Sequence, residues 1–91
     1  MFKNLEELIA VIRQRKKSSV NESYTKKLLK DKNLSVKKVK EEVAELIDAI
    51  EKNSNKVHEA ADVLYHLMVL LEANGVKIED VMDELKKRQK K

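Results

Sequence analysis

The sequence predicts an all-α fold, and three observations support this prediction. The 91 residues include one glycine and no proline, so the chain is poor in residues that form the tight turns between strands. Aromatic residues, which favour strands, make up only 3%. Apolar residues recur at helical spacing along the chain. Because 42% of the residues are hydrophobic, we expect an ordered chain, and its length favours one domain over residues 1–91.

Composition also excludes several classes of protein. Without cysteine the chain cannot form disulfides, a cysteine–zinc site or a thiol nucleophile, and one glycine is too few for a glycine-rich phosphate loop. We expect a cytoplasmic protein with no membrane-spanning segment, because the first residues are charged and no apolar run is long enough. The net charge of +4 comes largely from the basic C-terminal residues, so nucleic acid is not the expected partner.

Capping residues and apolar spacing divide the chain into five helices. Asn4 is a plausible N-cap of the first helix, and Ser35 can cap the long third helix after a connector at 31–33. Gly75 is predicted to be a left-handed residue that ends the fourth helix. The predicted helices cover residues 4–17, 23–30, 35–52, 56–74 and 78–88.

The third helix has an ordinary amphipathic pattern. At about 100° per residue, Glu41, Glu45 and Asp48 lie nearly opposite its apolar face, and Glu42 flanks that face. Taken alone, this helix is expected to bury its apolar face and to turn its acids to water. The apolar face consists of Val36, Val39, Val43, Leu46, Ile47 and Ile50.

The fourth helix is apolar on nearly all sides between Ala60 and Leu71. Such a helix must be surrounded by other helices, and five helices in so short a chain can hardly enclose it. We therefore predict that a second copy completes the bundle, in a homodimer or higher homo-oligomer. Asp62 lies within this stretch, where an ionised carboxylate needs a cation or a proton nearby.

Acids on the third and fourth helices are spaced for a metal site. Glu42 and Glu45 are three residues apart, as are Glu59 and Asp62, so each pair lies on one helix face. Antiparallel helices joined by a short turn would bring the two pairs opposite each other. An all-oxygen cluster suits Mg²⁺ or Mn²⁺ and phosphoryl or nucleotidyl hydrolysis. The alternative is that these acids form surface ion pairs on lysine-rich helices.

Other residues near these helices indicate binding sites less strongly than the paired acids do. Lys37 and Lys38 precede the acids by one turn and are either solvated or available to bind phosphates. Ser23 and Tyr24 at the start of the second helix form either an anion site or a plain N-cap. Two histidines are too few for a zinc-protease pattern, and His66 is expected to be a hydrogen-bonded core residue.

Four blocks of the sequence resemble the phosphoribosyl-ATP pyrophosphohydrolase family of histidine biosynthesis. The paired acids are shared with the wider MazG-like all-α nucleotide pyrophosphatases, and the Ser-Tyr-Thr and Ala-Asp-x-Leu-Tyr-His segments narrow the resemblance to this family. Lys40 departs from it, because the family usually has glycine there. The blocks cover residues 22–28, 38–45, 59–71 and 85–88.

The resemblance implies a MazG-like helical bundle, assembled as a dimer or higher oligomer, that uses Mg²⁺. It implies hydrolysis of phosphoribosyl-ATP to phosphoribosyl-AMP and pyrophosphate, the second step of histidine biosynthesis. By the same resemblance, Glu41, Glu42 and Glu45 would be catalytic, and Glu41 would be a further ligand or position water. The implied metal ligands are Glu42, Glu45, Glu59 and Asp62, and the substrate-binding candidates are Arg15, Ser23, Tyr24, Lys37 and Lys38.

Two alternatives to this function remain open at the level of sequence. The first is the same chemistry on other nucleoside triphosphates, since the paired acids do not identify the nucleotide. The second is a helical module that only binds a partner, in which the acids serve solubility.

Overall fold

The computed structural model describes residues 2–17 and 23–89, and over these ranges it contains α-helices and short connections but no strand. The predicted all-α fold is confirmed, whereas the predicted dimerisation stays a prediction. The first residue of the 22–28 block lies outside the described ranges. The helices are α1 (Lys3–Lys17), α2 (Tyr24–Lys30), α3 (Lys32–Lys52), α4 (Lys56–Ala73) and α5 (Ile78–Gln89).

The two longest helices, α3 and α4, form a hairpin and share the most extensive contact in the described ranges. Asn53 and Asn55 in the turn both have φ of 55°, a left-handed conformation that asparagine tolerates better than most residues. The Asn53 N–H donates to the Ile50 carbonyl at 3.2 Å, which satisfies a carbonyl at the end of α3. This short turn places α3 and α4 side by side.

Helix α3 begins earlier than the sequence predicted, and its N-cap is Asp31 rather than Ser35. The Asp31 carboxylate accepts a hydrogen bond from the Leu34 N–H at 3.0 Å. Aspartate caps helices as well as serine does, so the first suitable residue begins the helix and the predicted connector becomes helical. Ser35 is instead fully buried within α3.

A small hydrophobic core lies where α1, α2 and α4 meet. Each buried aliphatic side chain there contributes about 1.5–3 kcal/mol relative to an exposed one. This core holds α2 against the middle of α4, so Tyr24 at the start of α2 lies beside Tyr65 and His66 of α4. Its buried members are Ile12, Leu28, Leu29, Met68 and Val69.

The apolar face of α3 is exposed, contrary to the prediction that this helix buries it. Val36, Val43, Ile47 and Ile50 are 38–56% exposed. The side chains of α3 that lie against α4 follow alternating steps of four and three residues, and two of them are small enough for close approach. The acid Glu42 lies on that inner side. The buried and partly buried residues of this inner side are Ser35, Val39, Glu42, Leu46 and Ala49.

Helix α4 ends as the sequence predicted, with Gly75 in the left-handed region at φ 72°. The Val76 N–H donates to the Leu71 carbonyl at 2.9 Å, and the Gly75 N–H donates to the Glu72 carbonyl at 3.2 Å. This pair of hydrogen bonds is a Schellman motif, which needs a positive φ at the glycine position. It turns the chain from α4 towards α5.

Helix α5 is attached at the edge of the bundle, and none of its described residues is buried. Ion pairs of Arg13 hold it in place, because the guanidinium reaches Glu72 on α4 at 2.8 Å and Glu79 on α5 at 2.6 Å. None of the helices in the described ranges is both long and apolar enough to cross a membrane.

Candidate metal centre

Carboxylates from α3 and α4 converge at the middle of the helical hairpin. Glu42, Glu45 and Glu59 each offer one oxygen, and these three atoms lie within 4.8 Å of one another. A second group with the same spacing consists of Glu59, Asp62 and His58. Glu59 belongs to both groups. The four acids that the sequence suggested as ligands therefore form one continuous cluster, which we call the acid cluster.

Two acids of this cluster are largely removed from water. The side chains of Glu42 and Glu59 are 13% and 18% exposed. In each, the Oε2 atom is buried and has no hydrogen-bond partner among the described residues. A buried acceptor without a partner is costly, and an ionised one costs more. The acid cluster therefore requires a cation or protons to balance its charge.

The surroundings shift the pKa of both buried acids upward. Burial raises the pKa of Glu42 above its ordinary value, and the hydrogen bond and charge of Glu45 raise it further. Burial likewise raises the pKa of Glu59, again with contributions from Glu45. Neighbouring like charges and loss of hydration both disfavour the ionised form. A cation among these oxygens would remove both penalties.

The donor set fits a hard divalent cation. All four acids offer oxygen atoms, which Mg²⁺ prefers over nitrogen or sulfur. They extend from two packed helices, so their positions are fixed by the fold rather than by a loop. The unpartnered Oε2 atoms of Glu42 and Glu59 are the observation in this structure that a bound cation would explain.

Asp62 differs from the sequence prediction of an acid enclosed by apolar residues. Its side chain is 40% exposed, and the His58 Nε2 atom lies 3.4 Å from its Oδ2 atom. The sequence analysis considered His58 only as a zinc ligand and missed this contact. The i,i+4 spacing on one helix face was the signal that could have revealed it.

Glu41 lies outside the two converging groups, although the resemblance suggested a catalytic role. Its Oε2 atom is 3.3 Å from the Lys38 Nζ atom. The hydrogen bond to Glu41 raises the pKa of Lys38, so this lysine is firmly protonated. Glu41 therefore pairs with Lys38, whose charge also acts on Tyr24 and His66.

An aromatic wall borders the acid cluster. The Tyr24 and Tyr65 rings are stacked at 6.4 Å, and the His66 ring packs edge-on against them at 5.8 and 5.0 Å. A hydrogen bond between the Thr25 and Tyr65 hydroxyls joins α2 to α4. The His66 Nε2 atom lies 4.0 Å from a Glu42 oxygen. His66 is buried, as expected, and burial lowers its pKa, but its Nδ1 atom has no hydrogen-bond partner among the described residues, contrary to the predicted hydrogen-bonded histidine.

The sequence profile that defines the phosphoribosyl-ATP pyrophosphohydrolase family matches residues 5–89. The chain belongs to this family. The resemblance stated from the sequence blocks is thereby confirmed, and it extends over nearly the whole chain. The acid cluster and the aromatic wall both lie within the matched residues.

Relatives of this chain include both short and long proteins. Phosphoribosyl-ATP pyrophosphatase of Clostridium novyi is 45% identical over 96% of this chain and 82% of its own length. Phosphoribosyl-ATP pyrophosphatase of Metallosphaera sedula is 42% identical over 94% of this chain and 96% of its own. The histidine biosynthesis bifunctional protein HisIE of Pyrococcus furiosus is 44% identical over 94% of this chain, which spans only 41% of that relative.

The substrate-binding candidates of this family member lie in different places. Tyr24 and Lys38 border the acid cluster, and electrostatic interactions link them to each other. Arg15 and Lys37 are exposed, and no ion pair joins either of them to an acid within the described ranges. The Ser23 hydroxyl accepts a hydrogen bond from the Lys26 N–H at 3.0 Å. Ser23 is thus an N-cap of α2, whatever else it contacts.

Proposed function

We propose that this chain hydrolyses phosphoribosyl-ATP to phosphoribosyl-AMP and pyrophosphate, the second step of histidine biosynthesis, in the cytoplasm. The observation that carries the proposal is the convergence of Glu42, Glu45 and Glu59 oxygens within 4.8 Å between α3 and α4. Membership of the phosphoribosyl-ATP pyrophosphohydrolase family and the names of the short relatives support this substrate.

In this proposal Mg²⁺ is held by the four acids of the cluster, Glu42, Glu45, Glu59 and Asp62. When bound, the ion neutralises negative charge on the phosphates of the substrate. The raised pKa values of Glu42 and Glu59 support this assignment, because carboxylates without a counter-ion favour binding of a cation. The exposed edge at Asp62 leaves a side open for the substrate.

The protein's own residues perform proton transfer and positioning. A water oxygen forms a bond to phosphorus, the bond between the α- and β-phosphates breaks, and a carboxylate of Glu42 or Glu45 accepts the water proton. Glu41 holds Lys38 in place, and the Lys38 ammonium binds the phosphates that leave as pyrophosphate. Tyr24 lines the side of this site on α2, and we place Arg15 and Lys37 at its outer rim.

A second copy of the chain is part of this proposal. The exposed apolar residues of α3 continue onto α4, where Val57 and Leu64 are also exposed. A contiguous apolar surface of this kind marks a protein interface more often than free surface. We propose a homodimer or higher homo-oligomer that covers it, with no role for nucleic acid or membrane. Light scattering should give a mass of at least two chains, and a monomer at micromolar concentration would contradict the proposal.

A direct assay tests the reaction. The purified protein is mixed with phosphoribosyl-ATP, ATP or dUTP, each with and without Mg²⁺, and pyrophosphate release is measured. We expect release from phosphoribosyl-ATP with Mg²⁺ and little from the other two nucleotides. Release of pyrophosphate from dUTP but not from phosphoribosyl-ATP would show that the chain hydrolyses other nucleoside triphosphates. If no nucleotide released pyrophosphate, the remaining function would be that of a helical module that only binds a partner.

A further inference from the structure

A concavity lined in part by Tyr24 lies outside the acid cluster. It lies at the start of α2 and at the junction of α2 with α3, and its volume is about 920 Å³. This volume lies in the range of sites that bind small molecules. Apart from Tyr24, its lining residues have no role in the reaction proposed above. Its lining includes Ser23, Tyr24, Lys27, Lys30, Lys32 and Asn33.

The charge of this concavity is positive. Three lysines line it, and the one acid among its described lining residues, Asp31, already accepts the hydrogen bond that caps α3. No ion pair joins Lys27 or Lys32 to any acid in the described ranges. The ammonium groups of Lys27 and Lys32, which line one concavity without a carboxylate partner in the described ranges, suit a phosphate dianion.

Tyr24 connects this concavity to the acid cluster. Its ring lines the concavity, is 47% exposed and lies 5.8 Å from the His66 ring. His66 in turn approaches Glu42 to 4.0 Å. The Tyr24 and His66 rings therefore lie between the basic concavity and the acid cluster. A ligand that spans both sites passes over Tyr24, and aromatic faces bind planar bases by stacking.

Phosphoribosyl-ATP has the chemistry to span these two sites. It carries a triphosphate at one end, a second ribose with its own phosphate at the other, and the adenine ring between them. Resting on the function proposed above, we infer that the basic concavity binds the phosphate of the second ribose through Lys27 and Lys32. ATP lacks this phosphate, so the concavity distinguishes the two nucleotides.

The test compares two double variants. Lys27→Ala with Lys32→Ala removes the proposed phosphate contacts, and Lys77→Ala with Lys87→Ala removes two exposed lysines elsewhere as a matched control. For the first variant, KM for phosphoribosyl-ATP should rise about tenfold to a hundredfold with kcat nearly unchanged. The inhibition constant of ATP as a competitor should change by less than about twofold in either variant, as expected for surface charges outside its site.

Two outcomes would overturn the inference. One is an unchanged KM for phosphoribosyl-ATP in the Lys27 and Lys32 variant. The other is an equal rise in the inhibition constant of ATP, because the lysines would then bind the triphosphate that both nucleotides share. A wild-type protein that hydrolyses no phosphoribosyl-ATP would instead refute the proposed function. Binding of ribose 5-phosphate, followed by NMR shifts of the Lys27 and Lys32 amides, tests the concavity separately, and their absence at saturating probe also contradicts it.

Discussion

Glutamates occupy two contrasting environments in this molecule. At the edge of the bundle, Arg13 lies between Glu72 and Glu79, and its hydrogen bonds lower the pKa of Glu79 to about 2. In the acid cluster, burial and neighbouring carboxylates raise the pKa of Glu42 and Glu59. The same residue type is thus shifted in opposite directions in two regions of one small chain.

The difference lies in the charge that faces each group. Around Arg13 every carboxylate has a guanidinium partner, so the ion pairs join α1, α4 and α5 and serve the fold. The acid cluster gathers carboxylates whose buried oxygens have no partner among the described residues. Such an arrangement destabilises the folded chain unless a cation or protons bind to the carboxylates. Clustered groups with shifted pKa values are typical of functional sites.

The largest effect is expected from Glu42→Gln in the acid cluster. Turnover of phosphoribosyl-ATP should fall by about 10²–10⁴-fold, because a carboxylate proposed for metal binding and proton transfer is lost. The melting temperature without divalent cation should rise, since an amide can donate to Glu45 and carries no charge. Glu51→Gln on the exposed side of α3 is the matched control and should change neither quantity. Near-normal turnover of Glu42→Gln would contradict the assignment.

The second effect concerns the region around Arg13, where the charges are already paired. Arg13→Met leaves Glu72 and Glu79 without a partner and should lower the melting temperature by about 5 °C, while kcat at low temperature stays close to that of the wild type. The control is Arg88→Met, which removes only an exposed pair with Glu84 within α5 and should change the melting temperature little. An equal loss of stability in both variants would show that the Arg13 pairs hold nothing in place.

The smallest effect is the pH dependence of the melting temperature, to which the acid cluster and Glu79 contribute with opposite signs. Because the folded pKa of Glu42 and Glu59 is raised above 4.5, their protonation stabilises the folded chain. Without metal, the melting temperature should therefore rise as the pH is lowered through the raised pKa values towards 4.5, and this gain is lost again as the pH rises through those values. Glu79 acts in the opposite way, because its contribution is present above pH 4.5 and is lost as the pH falls towards about 2.

A metal-free melting series with a chelator checks this dependence. The same series for Glu42→Gln should show a smaller rise between neutral and mildly acidic pH, because one of the two responsible groups is gone. Saturating Mg²⁺ should reverse the trend, since protons and cation compete for the same oxygens. A melting temperature of the wild type that falls steadily on acidification from neutral pH would contradict the raised pKa values.

Local patterns were sufficient to predict most of the fold. The five helices followed from apolar spacing, and the left-handed Gly75 was predicted correctly, but the predicted N-caps Asn4 and Ser35 lie inside α1 and α3. The i,i+3 spacing of Glu42 and Glu45 predicted that acids of α3 and α4 lie close together, and their oxygens do. That these acids bind a metal stays a prediction.

Features that depend on packing between distant segments could not be predicted. What covers the apolar stripe of α3 could not be predicted, because a stripe of valine and isoleucine can be covered by a second copy as well as by the same chain. Asp31 and Ser35 are both good N-caps, and the choice depends on how α2 ends. Arg13 is 59 residues from Glu72 and 66 from Glu79, so no local pattern connects them.

Calorimetric titration of the metal-free protein with MgCl₂ at neutral pH tests the central claim most directly. The wild type should bind Mg²⁺, Glu59→Gln should bind it at least about tenfold more weakly because it removes the acid shared by both groups, and Glu79→Gln should bind it like the wild type. Equal affinity of the wild type and Glu59→Gln, or no binding by the wild type, would contradict the claim that the converging carboxylates form a metal centre.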